Sequence, residues 1–242
     1  ISYKDNKNIS TDYKYVSYTS TPENALNGTV SQDIITINYY YTLKNATINI
    51  KYLDELTGQS ILNEENIQTK YGVEYGSLNL DSYKKEITGY DYSKTETTPK
   101  DISGKVNQDT TTIIHYYKKK ATVTVNYYKE GTTEKLAETD TLNKYYGDTY
   151  DVSTNEYKNK STIPSKYEYS SVNPSNEVTG TITKSSIIIN YYYKLKDAKI
   201  VINYLEDKTN NKLAESTVID KKYDDKYDVT NYKDNKNIST DY

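Results

Sequence analysis

The chain holds one histidine, His115, no cysteine and, on a count of every position, no arginine. Disulfides, thiolate chemistry and cysteine-bound metals are therefore excluded, and any chemistry must come from carboxylates, lysines, hydroxyls and 31 tyrosines. The sequence provides its own control, because it is internally repetitive: a reactive group used by every copy should recur at its aligned position. His115 aligns with Asn38 and Asn190, so a catalytic or metal-binding imidazole is not expected, and the residue reads as a half-exposed strand position. The acidic set Glu55/Glu130/Asp207 does recur. A turn carboxylate accepting from nearby backbone N–H groups explains it better than calcium or catalysis. No second carboxylate is read at a spacing that suggests a glycosidase pair. Serines and threonines have no recurring base to activate them, and no Gly-rich phosphate loop is present. No enzyme activity, cofactor or metal is expected.

Two further groups deserve weighing. Lys51, in a strand, could form an isopeptide bond with an asparagine on a neighbouring strand, but Asn126 and Asn203 stand at its aligned positions, so such a bond would not be repeated. The tyrosines are the more informative set. Strand alternation places Tyr52, Tyr127, Tyr204, Tyr39, Tyr116 and Tyr191 in the core. It leaves Tyr40, Tyr117, Tyr128 and Tyr192 facing outward. An outward row of this kind could be a platform on which sugar C–H faces pack, with Asn, Thr and Lys bonding the hydroxyls. Cross-strand stiffening of the sheet is the plainer reading. Without arginine, a bidentate clamp on an acidic sugar is missing, so neutral glycans are favoured.

The elements that position these residues follow from the repeat. YKDNKNISTDY occurs at 3–13 and again at 232–242. The stretches 46–75, 121–150 and 198–227 align without gaps, and 13–41, 90–117 and 167–193 align among themselves as the other half of the unit. The period is about 76 residues. The segments are a C-terminal half at 1–44, complete copies at 45–120 and 121–196, and an N-terminal half at 197–242. Both termini are expected to be cuts in a longer array. Within each unit the pattern has a period of two. Ile48, Ile50 and Tyr52 share one face of the opening strand, as do Val123, Val125 and Tyr127, and Ile200, Ile202 and Tyr204. In the closing strand Ile114 and Tyr116 share a face, matched by Ile37 and Tyr39 and by Ile189 and Tyr191. One helical turn is expected near Asp81–Ile87, and the short joints KKKA and KLKDA imply a semi-stiff string.

Composition agrees. Hydrophobic residues make up only 34% of the chain, and tyrosine, the sole aromatic, supplies buried area provided that its hydroxyl reaches water or a partner. The net charge is −3, with both signs interspersed, which gives no footprint for nucleic acid or an anionic membrane. No transmembrane-length apolar run or signal peptide is read in these residues, so an export signal or anchor would lie outside them.

The unit resembles the mucin-binding-protein (MucBP) repeat of Gram-positive surface proteins. The matching features are the β-branched opening strand and acidic turn TINIKYLDE, the Gly-x-x-Tyr elements at Gly72–Tyr75 and Gly147–Tyr150, and Gly89-Tyr90. Pro22/Pro99/Pro174, Gly28/Gly104/Gly180 and the closing IIHYYK or IIINYYYK complete the pattern. The chain departs from it where Asp224 stands for Gly72, and where Lys166 and Asp12 stand for Gly89. The resemblance implies a mostly β chain of small β-grasp-like, ubiquitin-related modules strung end to end as an elongated rod. It further implies an extracellular, wall-attached adhesin or stalk and recognition of mucin glycans. The alternative is a self-assembling fibre in which half-modules of neighbouring copies complete each other.

Overall fold

The computed structural model describes residues 3–234 and 237–238. The second copy of the repeated phrase, and with it the end of the 197–242 segment, lies partly outside them. The chain divides into two units, residues 1–120 and 121–242, and is mostly β.

In the first unit β1 (Tyr13–Thr21) and β2 (Thr36–Leu43) form an antiparallel hairpin. β3 (Asn45–Asp54) pairs antiparallel with β4 (Glu65–Lys70) on one side. On its other side it pairs parallel with the first part of β6 (Thr110–Lys129). The edge strand β5 (Tyr90–Thr98) lies antiparallel to β6. The order β4-β3-β6-β5 thus places the first and last strands of residues 45–120 side by side and parallel. Period-two patterning makes this possible: from Ala46 onward β3 alternates buried and half-buried, with Ile48, Ile50 and Tyr52 fully enclosed. Burying each such side chain contributes about 1.5–3 kcal/mol. The crossover from β4 to β5 carries two single 3-10 turns, Tyr75–Leu78 and Leu80–Tyr83. The helical turn expected near Asp81–Ile87 therefore sits a few residues earlier.

The second unit repeats the plan. Residues 122–129 of β6 pair parallel with β11 (Ser186–Leu195), and β7 (Lys135–Tyr145) pairs with β6. β9 (Tyr167–Asn173) is antiparallel to β11. The short strands β8 (Thr149–Asp151) and β10 (Thr179–Thr181) form a separate ladder, and a four-residue helix, Asn155–Lys158, lies in the crossover. β12 (Asp197–Leu205) and β13 (Lys212–Lys222) close the chain as a hairpin.

The closing strand departs from expectation. Thr111, Ile113, His115 and Tyr117 point inward, while Ile114 and Tyr116 are half-exposed on the other face. In register, Tyr52 lies opposite His115, whereas in the second unit Tyr127 lies opposite Tyr191. His115 therefore occupies the place of Tyr191, not of Asn190. The cause is one residue fewer after the joint lysine: Lys120 is followed directly by Ala121, whereas Lys44 and Lys196 are each one residue further from Ala46 and Ala198. A one-residue slip exchanges the two faces of a strand.

Candidate functional site

Each tyrosine is oriented by its strand. Tyr192 lies opposite Tyr128 across the parallel pair of the second unit. Their half-exposed rings are 6.2 Å apart and inclined by 32°. One row away on the same face, Asn126 donates its amide to Asn190 Oδ1 at 2.9 Å, and Thr139 Oγ1 donates to Asn126 Oδ1 at 2.8 Å. The result is an aromatic pair bordered by amide and hydroxyl groups. Tyr40 is 48% exposed, with its hydroxyl 3.3 Å from Thr19 Oγ1. In the first unit Leu53 stands opposite Tyr116, and Lys94 Nζ sits 4.9 Å over the Tyr116 ring. The outward row is thus not the same surface in each copy.

Tyr117 is not part of that row. It is 1% exposed, and its hydroxyl donates to Lys85 O at 2.9 Å while accepting Lys85 N–H at 3.1 Å. Tyr41 and Tyr193 do the same work, donating to Lys4 O at 2.7 Å and Lys158 O at 3.1 Å. This recurring inward tyrosine ties the crossover loop to the sheet.

His115 is buried rather than half-exposed. Its Nδ1 lies 2.7 Å from Thr95 Oγ1, and Nε2 is enclosed without a hydrogen-bond partner. Burial, reinforced by the nearby Lys84 ammonium, pushes its pKa below the ordinary imidazole value. Lys51 is a surface group, 3.6 Å from Glu64 Oε2. The turn N–H groups of Leu56 and Thr57 are accepted by Asp54 Oδ1, at 3.0 and 2.8 Å. The recurring Glu55 instead accepts from Ser93 Oγ at 2.8 Å, and Glu130 likewise from Ser170 Oγ. That corrects the turn reading: the carboxylate reaches across the sheet to the serine at the bulge of the edge strand.

A second recurring constellation escaped the sequence reading. Tyr52 OH donates to Glu65 Oε1 at 2.9 Å, and Lys85 Nζ bonds the same oxygen. In the second unit Tyr127 OH donates to Asp140 Oδ2 at 2.5 Å, and Lys160 Nζ to Oδ1 at 2.6 Å. The lysine also lies over the tyrosine ring, at 5.4 and 4.6 Å. Burial first, then the carboxylate, raises both phenols. Glu65 is held low by Lys85 and then Tyr52. For Asp140 burial acts the other way, but the Lys160 and Tyr127 hydrogen bonds outweigh it and the pKa falls. Phenol neutral and carboxylate ionised at neutral pH, the trio has no proton to move there; it is a clasp between opening strand, second strand and crossover. The alignment column Glu65/Asp140/Thr217 is the signal that would have found it. Among the described residues no group of three metal-ligating side chains is gathered, and no helix is long and apolar enough to cross a membrane.

The MucBP domain model matches residues 47–118, 122–194 and 199–242. The chain belongs to the MucBP domain family. As a MucBP chain it is also similar to internalin J of Listeria monocytogenes: 30% identical over 221 residues to the serotype 4b (strain F2365) protein, and 29% over 230 residues to the serovar 1/2a (strain EGD-e) protein. These alignments cover 86% and 91% of this chain but 22% and 24% of the relatives, so the chain spans about a quarter of their length. Among solved structures, the type 2 repeat of the mucus binding protein MUB from Lactobacillus reuteri aligns at 14% identity and TM-score 0.22, and Mub-RV at 15% and 0.20. Each alignment covers 62% of this chain and 100% or 99% of the other.

Proposed function

We propose that this chain is a non-enzymatic tandem-repeat segment of a Gram-positive cell-surface adhesin, with β-grasp modules at 45–120 and 121–196 flanked by half-modules at 1–44 and 197–242. It spans distance and carries contact surfaces for mucin-type glycans, preferentially neutral ones. The family membership and the internalin J relatives support this reading. The observation that carries the binding part is the Tyr128–Tyr192 ring pair bordered by Asn126–Asn190. Such a pair offers apolar faces to a sugar ring and paired donors and acceptors to its hydroxyls. Tyr40 is the counterpart in the first hairpin; Tyr117 has no part in it.

The test is a solid-phase assay of the chain on purified mucin. The Tyr128→Ala/Tyr192→Ala variant is expected to lose at least half of the retained signal while keeping its melting temperature. Wild-type chain that does not bind mucin at all would refute the adhesive reading.

A second reading, assembly of copies, has one observation behind it: among the described residues β2 pairs only with β1 and β12 only with β13. Each such edge leaves backbone groups that another strand could meet. Light scattering that reports a strict monomer at high concentration removes it.

A further inference from the structure

The hydrogen bonds beside the Tyr128–Tyr192 pair all run one way. Lys135 Nζ donates to Thr139 Oγ1 at 3.0 Å, Thr139 Oγ1 to Asn126 Oδ1 at 2.8 Å, and Asn126 Nδ2 to Asn190 Oδ1 at 2.9 Å. Each acceptor in the series is engaged, and the series ends on the side-chain N–H groups of Asn190, on the half-exposed face that carries the rings. Hydrogen bonds in series polarise one another, which strengthens that terminal donor. The two phenol hydroxyls add further donors.

The face is also uncharged. Alternate residues 122–128 of β6 and 186–192 of β11 share it, and all are Thr, Asn, Tyr, Ser or Ile. The first unit differs: Lys51, paired with Glu64, lies opposite Ile114, and Lys94 sits over the Tyr116 ring. Ile188, 53% exposed, adds an apolar group on the uncharged face. It stands four residues before Tyr192, about 13 Å away at the rise of a strand.

An uncharged ligand with acceptors, few donors and an apolar ridge fits such a face. A sugar hydroxyl brings a donor with every acceptor. A proline-rich segment does not, because Pro has no N–H and polyproline II leaves its carbonyls without internal partners. At a rise of about 3.1 Å per residue, four or five residues of that helix reach from the rings to Ile188. The conformation exists before binding, so little ordering entropy is lost.

We infer that the open face around Tyr128 and Tyr192 binds an uncharged proline-rich peptide in the polyproline II conformation, the rings packing on a proline and Asn190 donating to a neighbouring carbonyl. The inference rests on the adhesive reading and names the part of a mucin-type ligand that this face takes. That part is the Pro/Ser/Thr-rich polypeptide, its sugars being left to the bordering polar groups.

The experiment is titration of the ¹⁵N-labelled chain with a capped nonapeptide of Pro-Thr-Pro repeats, with its Ala-Thr-Ala counterpart, and with lactose, followed amide by amide. The proline peptide is expected to shift residues 126–128 and 188–192 and to leave 51–53 and 114–116 unmoved. Asn190→Asp still accepts from Asn126 but loses the donors, and is expected to weaken peptide binding about tenfold. If that variant fails to fold, Tyr192→Leu keeps apolar bulk without the ring and is expected to weaken it as much. No shift with the proline peptide, equal shifts with the alanine peptide, equal shifts in the first unit, or undiminished binding by a folded Asn190→Asp chain would overturn the proposal. Mucin retained by wild-type chain that ignores the proline peptide would overturn it while leaving the adhesive reading standing. Peptide shifts without mucin retention would do the reverse.

Discussion

His115 occupies the inward position that Tyr39 and Tyr191 hold in the other closing strands, enclosed by the Tyr52 and Tyr92 rings at 5.8 and 6.3 Å. Thr95 bonds its Nδ1, and Lys84 and Asp81 are the charged groups that face it from the crossover, the lysine disfavouring and the aspartate favouring the cation. The folded imidazole thus binds a proton less readily than the unfolded one. Stability is full above the unfolded value of about 6.5, and falls as pH drops below it toward the depressed folded value, by at most about 1.4 kcal/mol per pH unit. Hydrogen exchange across pH 7 to 5 is expected to show residues 45–120 losing protection before 121–196, and His115→Phe is expected to remove that difference. Equal acid sensitivity in both stretches would contradict the assignment. The residue was legible as unique but not as buried. Counting back from the tyrosines set the wrong frame, whereas counting from Lys44, Lys120 and Lys196, spaced evenly at the joints, sets the right one. Opening strands were legible because three ungapped copies fix Ile48, Val123 and Ile200 on one face; the Tyr–carboxylate–Lys clasp was not, because its lysine arrives from an irregular crossover that no periodicity describes.

At the scale of elements, the joints are held on both sides. Lys44 N–H donates to Asp12 O at 2.8 Å, and its carbonyl accepts from Tyr71 N–H at 3.0 Å. Lys196 repeats this with Lys166 O at 2.9 Å and Tyr223 N–H at 3.1 Å. Two of the three residues that depart from the family pattern meet at this second joint, where Lys166 Nζ pairs with Asp224 Oδ2 at 2.6 Å. Asp224 has φ of +67°, against +80° for Gly72, so the aspartate accepts a left-handed backbone costing roughly 1–2 kcal/mol. The exposed, solvent-screened pair returns little of that. Asp224→Gly is therefore expected to leave the melting temperature unchanged or raised. The backbone clamps predict slow amide exchange at Lys44, Tyr71, Lys196 and Tyr223; exchange there as fast as in an exposed loop would show the joints to be free linkers.

For the whole molecule, the consequential feature is that the first and last strands of residues 45–120 are hydrogen-bonded neighbours running in parallel, and so are those of 121–196. Entry and exit then lie at opposite ends of the sheet, and tension on the chain loads the ladder between those two strands in shear. A tethered protein that must stay folded while pulled is well served by that arrangement. The most direct test is to stretch the chain between its ends in a single-molecule force measurement. The account predicts two separate unfolding events, each lengthening the chain by about 250 Å, the contour of one released module. One event that releases the whole chain, or a gradual extension without steps, would contradict it.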